Sequence, residues 1–136
     1  MNDYILILYP VVLIIIWIFV LGLTSIIGGW YNISKKYPYK DTKYENGKLY
    51  KYQSIKFNYI GRYSFCINIT VYNDGILLKP SLLFSFFHKP IYIQYKQIQN
   101  KQFVKYLFLN FLILKLNDKK IRIFGNSIKE IKNKLG

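Results

Sequence analysis

Residues 63–79 read YSFCINITVYNDGILLK. Phe65, Ile67, Ile69 and Val71 recur at every second position, with Ser64, Cys66, Asn68 and Thr70 between them. Successive side chains of a strand point to opposite faces, so this alternation marks a half-buried strand. Asn73-Asp74-Gly75 then supplies a tight turn, with the glycine free to take positive φ. Ile76–Lys79 returns. The segment predicts a β-hairpin, and with it a β domain.

Short strands continue on both sides. Upstream, Ile55, Phe57 and Tyr59 keep period two. Downstream, Ile91, Ile93 and Tyr95 form another strand, and Lys101–Phe108 and Phe111–Leu116 two more. Asn117-Asp118-Lys119-Lys120 turns the chain into Ile121, Ile123 and Phe124, and Gly125 ends that run. Ser127 with Glu130 three residues later resembles a capping box, and Ile128, Ile131 and Leu135 then share one helical face. The spacing predicts six or seven antiparallel strands over 48–136, closed by an amphipathic helix over 127–135. A pleckstrin-homology-like (PH-like) barrel or sandwich fits that order, and a plain β-sandwich is the alternative. A hundred residues or so suffice for one modest core.

The N-terminal part is different in kind. Tyr4–Ile27 is uncharged and strongly apolar. About 20 such residues cross a hydrocarbon core of about 30 Å, so 4–27 predicts a transmembrane helix. Pro10 lies inside the run; counted from Pro10 alone, the helix still covers about 27 Å. A cleaved signal peptide would need a basic start and a shorter apolar stretch, and the chain opens with Asp3 and no Lys or Arg before the span. Trp30 and Tyr31 follow where interfacial aromatics belong. Ser81–Phe87 and Phe103–Leu116 are too short to span, the second being interrupted by Lys105.

The 136 residues carry 20 Lys+Arg, 6 Asp+Glu and one His, a formal charge of +14. Asp3 is the one charged side chain before residue 31, so the remainder carries +15. Eighteen of the cations are Lys; the others are Arg62 and Arg122. This composition excludes a disordered chain. A single Cys excludes a disulfide framework, and one Cys with one His cannot complete an ordinary zinc site. The segment 28–47 reads as a basic juxtamembrane connector. Because the Lys/Arg excess marks the cytoplasmic flank, the expected topology is N-terminus outside and domain inside. On that topology Asn32-Ile33-Ser34 and Asn68-Ile69-Thr70 are chance matches to the glycosylation pattern.

Three segments together resemble a known group. Gly28-Gly29-Trp30-x-x-Ile33-Ser34 follows the span, Asp74-Gly75-Ile76-Leu77-Leu78 comes later, and then Phe86-Phe87-His88-Lys89-Pro90-Ile91-Tyr92-Ile93-Gln94-Tyr95-x-x-Ile98. The chain is similar to uncharacterised small bacterial single-span membrane proteins with a "GGW-x-x-LA" segment after the span and a "HPPL-x-IPW-x-x-I" segment. Lys89, Gln94 and Tyr95 stand where that group has Pro, Pro and Trp. The resemblance implies a single-pass protein of the bacterial inner (plasma) membrane with a PH-like cytoplasmic domain. It implies no enzyme activity.

Few residues suggest chemistry. His88 has no partnered nucleophile or carboxylate in view, and is expected to end a loop with its ring bonded to backbone. Cys66 reads as a small strand residue. No catalytic, cofactor-binding or metal-binding residues are expected, and no cofactor. Two binding signals stand out. Lys35, Lys36, Lys40 and Lys43 would lie beside an anionic leaflet, where each cation contributes about 1 kcal/mol. Leu82, Leu83, Phe84, Phe86, Phe87, His88 and Pro90 form an apolar segment between cations, which is either core, packing for the exit of the span, or an exposed partner or lipid contact. Interleaved Tyr and Lys over 37–52 suit nucleic acid, but no recognised nucleic-acid motif accompanies them, and a membrane tether argues against that partner. The expected function is a non-enzymatic, membrane-anchored interaction module touching anionic lipid, a protein partner or both. The alternative is a structural or accessory subunit of a larger membrane complex.

Overall fold

A computed structural model describes residues 2–39, 47–57, 61–116 and 119–135. Helix α1, Asp3–Ile27, is continuous through Pro10. Its most apolar stretch has mean hydropathy 3.0 and is only 6% buried. The core helix of a soluble fold would be buried, so α1 is long, apolar and laterally bare, as a membrane span is. A turn at Gly28-Gly29 leads into the short helix α2, Trp30–Lys36. Gly29 sits at φ 89°, and a Cβ there would meet nothing within 4 Å. The backbone's left-handed conformation, not crowding, is what asks for glycine.

Seven strands follow: β1 Lys48–Phe57, β2 Gly61–Val71, β3 Gly75–Pro80, β4 Ile91–Gln94, β5 Asn100–Tyr106, β6 Leu109–Lys115 and β7 Lys120–Phe124. They make one antiparallel sheet in the order β4-β3-β2-β1-β7-β6-β5. A single 3-10 turn, Leu82–Phe84, lies between β3 and β4, and helix α3, Ser127–Leu135, closes the chain. The alternating residues pack inward: Ile55 and Phe57, Ile67, Ile69 and Val71, Ile76 and Leu78, Ile91 and Ile93, Leu112 and Leu114, Ile121 and Ile123. Ile131 of α3 joins them. Burying each such side chain favours folding by about 1.5–3 kcal/mol.

The ladder registers define two ends of the sheet. Phe57 pairs with Gly61 and Lys115 with Lys120 at one end, where β3 also leaves toward β4 at Pro80. Val71–Gly75, Tyr106–Leu109 and Phe124 lie at the other.

Four local readings differ from the structure. Gly75 does not take positive φ; what asks for glycine there is close approach, since a Cβ would lie 2.6 Å from Ile93 O. Phe65 is not a core residue: it is 75% exposed, while Cys66 and Ile67 both turn inward. Between the pairs Gln53↔Ile67 and Ile55↔Tyr63, β2 advances four residues against two on β1. That bulge resets which face each side chain takes. Phe65 there sits at φ 57°, and its N–H donates to Ser54 Oγ at 2.9 Å. Trp30 is not interfacial: it is fully buried in the domain core, because the Gly29 turn folds α2 back onto the sheet. The N-terminus of α3 is served by Gln53, whose Oε1 accepts the Ser127 N–H at 3.2 Å. Ser127 Oγ is buried with no partner among the described residues, so no capping box forms there.

Candidate membrane interface

The site begins where the β3–β4 connection meets α1. The Trp17 indole Nε1 donates to Leu83 O at 3.3 Å, and its ring lies 5.4 Å from that of Phe84. One turn and a half further along α1, Gly22 leaves room for the Phe87 ring; a Cβ at Gly22 would lie 3.3 Å from Phe87 Cδ2. Ser25 Oγ donates to Phe87 O at 2.6 Å. At about 100° per residue, Trp17, Gly22 and Ser25 fall within one sector of about 140° of the helix. Phe87 itself has φ 61°, a left-handed backbone for a bulky residue.

A buried polar cluster holds the loop's return. His88 is 3% exposed. Its Nδ1 lies 2.7 Å from Phe86 O and its Nε2 3.1 Å from the Tyr63 hydroxyl. A carbonyl only accepts, so Nδ1 carries a proton, and in the neutral ring Nε2 is then left to accept from the Tyr63 hydroxyl. That arrangement requires the neutral ring, and burial indeed holds the His88 pKa below its ordinary value. Burial likewise pushes the Tyr63 hydroxyl well up, keeping it a donor. Tyr63 Oη also approaches Thr24 O of α1 at 3.4 Å. Trp30 packs edge-on against Phe57, Tyr63 and His88, and its Nε1 donates to Lys89 O at 2.8 Å. The loop, the start of β2 and the two helices thus share one joint. Both ring nitrogens of His88 are engaged in that joint, and burial raises the Cys66 thiol pKa, so neither is set up as a base or nucleophile. No cluster of three metal-ligating side chains occurs among the described residues.

The sequence candidates fall as follows. Leu82, Leu83, Phe86 and Phe87 remain exposed; Phe84 is half-buried against Trp17. Pro90 is half-buried and precedes Ile91, which bridges Pro38, so the stretch after α2 is stitched to β4. Lys35 and Lys36 are exposed in the last turn of α2. Lys35 Nζ sits 4.4 Å over the Tyr31 ring, and its hydrogen bond and charge lower the Tyr31 pKa, with a smaller contribution from Lys89. Lys35 and Lys89 therefore flank the same exit of α1. Lys40 and Lys43 lie outside the described residues.

A further group of cations escapes sequence reading. Lys56 stands directly opposite Arg62 on one side and Arg122 on the other. Their strand neighbours Phe57, Tyr63, Ile121 and Ile123 are buried, so the three cations share the outer face. Both arginines of the protein are in this row, at the same sheet end as Tyr63 and the 81–90 loop. Like charges directly opposite one another destabilise a sheet, and the row concentrates planar donors suited to phosphate. Periodicity shows that each residue points outward, but only the register aligns them.

No family model matches the sequence, and no curated protein does. Among solved structures, the chain is similar to the Vps36 N-terminal PH domain, with a TM-score of 0.51 and 7% identity over 68% of this chain and 80% of that one. At that identity the likeness concerns the fold: the domain after α1 is PH-like.

Proposed function

We propose that this protein is a non-enzymatic, membrane-anchored interaction module whose PH-like domain rests on an anionic membrane surface. The supporting observation is the joint. Only Gly28 and Gly29 separate α1 from Trp30, which is fully buried in the domain. The domain therefore follows the span without a flexible spacer, and Lys35, Lys36 and Lys89 are carried at headgroup level. The row Arg62–Lys56–Arg122 belongs to the same end. Cations there gain about 1 kcal/mol each from an anionic leaflet. The excess of lysines after the span favours the cytoplasmic side for the domain.

A ligand that binds the folded state raises its stability. Adding phosphatidylglycerol to the full chain in neutral detergent should therefore raise its melting temperature more than phosphatidylcholine does. The difference should shrink with salt and in the double variant Lys35→Ser/Lys36→Ser. Equal stabilisation by both lipids would overturn the headgroup reading. The second reading, an accessory subunit of a membrane complex, draws on one feature. The β5–β6 hairpin tip carries Leu107, Phe108 and Leu109 at 79, 100 and 59% exposure, at the sheet end away from α1.

A further inference from the structure

We infer that residues 81–87 form a second membrane element, inserted among the acyl chains beside α1. The inference rests on reading α1 as a membrane span and goes beyond headgroup contact.

Depth is the first argument. A helix rises about 1.5 Å per residue, so Trp17 lies about 15 Å before the end of α1 at Ile27. If the last turn of α1 stands outside the hydrocarbon, Trp17 is still about 10 Å within a leaflet whose apolar half is about 15 Å thick. Leu83 and Phe84 touch Trp17. They cannot sit at that depth on the helix and also be in water.

The second argument is the backbone. Lipid offers no hydrogen bonds, so an irregular segment is tolerated there only if its polar groups are satisfied by protein. Six of the seven carbonyls from Ser81 to Phe87 accept from a protein donor. Ser81 O accepts from Phe84 N–H, and Leu82 O from the N–H and hydroxyl of Ser85. Ser85 O accepts from His88 N–H, and Phe86 O from His88 Nδ1. Leu83 O and Phe87 O take their donors from α1 itself, Trp17 and Ser25. In turn, the indole and hydroxyl of those two span residues find in the loop the acceptors that acyl chains lack.

Composition is the third. No charged side chain occurs from Ser81 through Phe87, and the flanking Lys79 and Lys89 are exposed. Leu82, Leu83, Phe86 and Phe87 are 85, 70, 50 and 61% exposed, as bare as the lipid-facing side chains of α1 to which they are continuous. One occupant, the acyl chains already around α1, covers both surfaces.

The test uses the full chain in proteoliposomes, on a Cys66→Ser background, with an environment-sensitive fluorophore at Leu82→Cys, Phe86→Cys, Val20→Cys or Phe108→Cys. Quenchers are aqueous iodide and lipids carrying a nitroxide deep in the acyl chain. Leu82 and Phe86 are chosen because neither is buried, so labelling need not disturb the fold. The expected result is that labels at 82 and 86 follow the span label at 20: quenched by the chain nitroxide, shielded from iodide. The label at 108 should show the reverse. Iodide quenching at 82 and 86 with lipid quenching at 20 would overturn the insertion and leave the span intact. Shielding of 82 and 86 from both quenchers would overturn it too, in favour of a protein cover. Iodide quenching at 20 as well would show that the span reading itself has failed.

Discussion

Two loops of this protein display large apolar side chains, and they are built differently. The 81–87 connection lies against α1 and has its carbonyls bonded by Trp17, Ser25, Ser85 and His88. The β5–β6 tip is a two-residue turn closed by the pair Tyr106↔Leu109, with Phe108 fully exposed. Each places a bulky apolar residue in left-handed backbone, Phe87 at φ 61° and Leu107 at φ 51°, where glycine or asparagine would be easier. One of these strained residues is held by tertiary contacts with the span. The other, Leu107, sits at the hairpin tip and is 79% exposed. An exposed apolar side chain therefore has two meanings in the same molecule. Against α1 it continues the bare apolar surface of that helix; at the far end it is an isolated tip.

The comparison can be broken most severely at Trp30. Trp30→Ala removes a fully buried ring and the donor to Lys89 O, and should cost about 3–5 kcal/mol. Phe108→Ala should stay within about 0.5 kcal/mol. Thermal unfolding of the full chain in detergent reads both, and similar losses would erase the distinction between the two regions. A smaller effect is expected at Ser25→Ala. It leaves Phe87 O, a part-buried acceptor, without its donor, a loss of about 1 kcal/mol. An unchanged melting temperature would mean that the loop does not depend on α1.

The smallest effect is a pH dependence. His88 has a folded pKa below its unfolded value near 6.5 because it is buried. As pH falls below about 6.5 the unfolded chain gains a proton that the folded chain resists, so the unfolded state is increasingly favoured until the folded pKa is passed. Stability should be greater at pH 7.5 than at pH 5.5, and His88→Gln should flatten that difference. The β5–β6 tip holds no titratable group that would mimic it; an unaltered slope in the variant would assign the effect elsewhere.

Much of the architecture was legible because it rests on local signals. The uncharged run Tyr4–Ile27, the alternation in β2, the turn at Asn73-Asp74-Gly75 and the helix at 127–135 each announce themselves within a few residues. What was not legible depends on partners far along the chain. The bulge at Phe65 is set by the slip against Ser54 and Ile55, and no period foretells it. Trp30 follows a span and so reads as an interfacial aromatic, yet its partner is Lys89 O, 59 residues away. The row Arg62–Lys56–Arg122 exists only through the register of three strands. The 81–87 segment was ambiguous for a physical reason: it is apolar on every side, and composition alone cannot tell core from lipid.

The joint at Gly28-Gly29-Trp30 also limits how the domain can move. A domain on a long flexible linker samples a hemisphere of solution, and its local concentration at any membrane target is diluted by that volume. Here the helix axis and the sheet are coupled within two residues, so with α1 in a membrane, as proposed, the domain would keep lateral diffusion and spin about the membrane normal but not free tumbling. The same face would then stay toward the bilayer throughout. Encounters with other membrane-bound molecules would thereby be reduced to a search in two dimensions with one free angle.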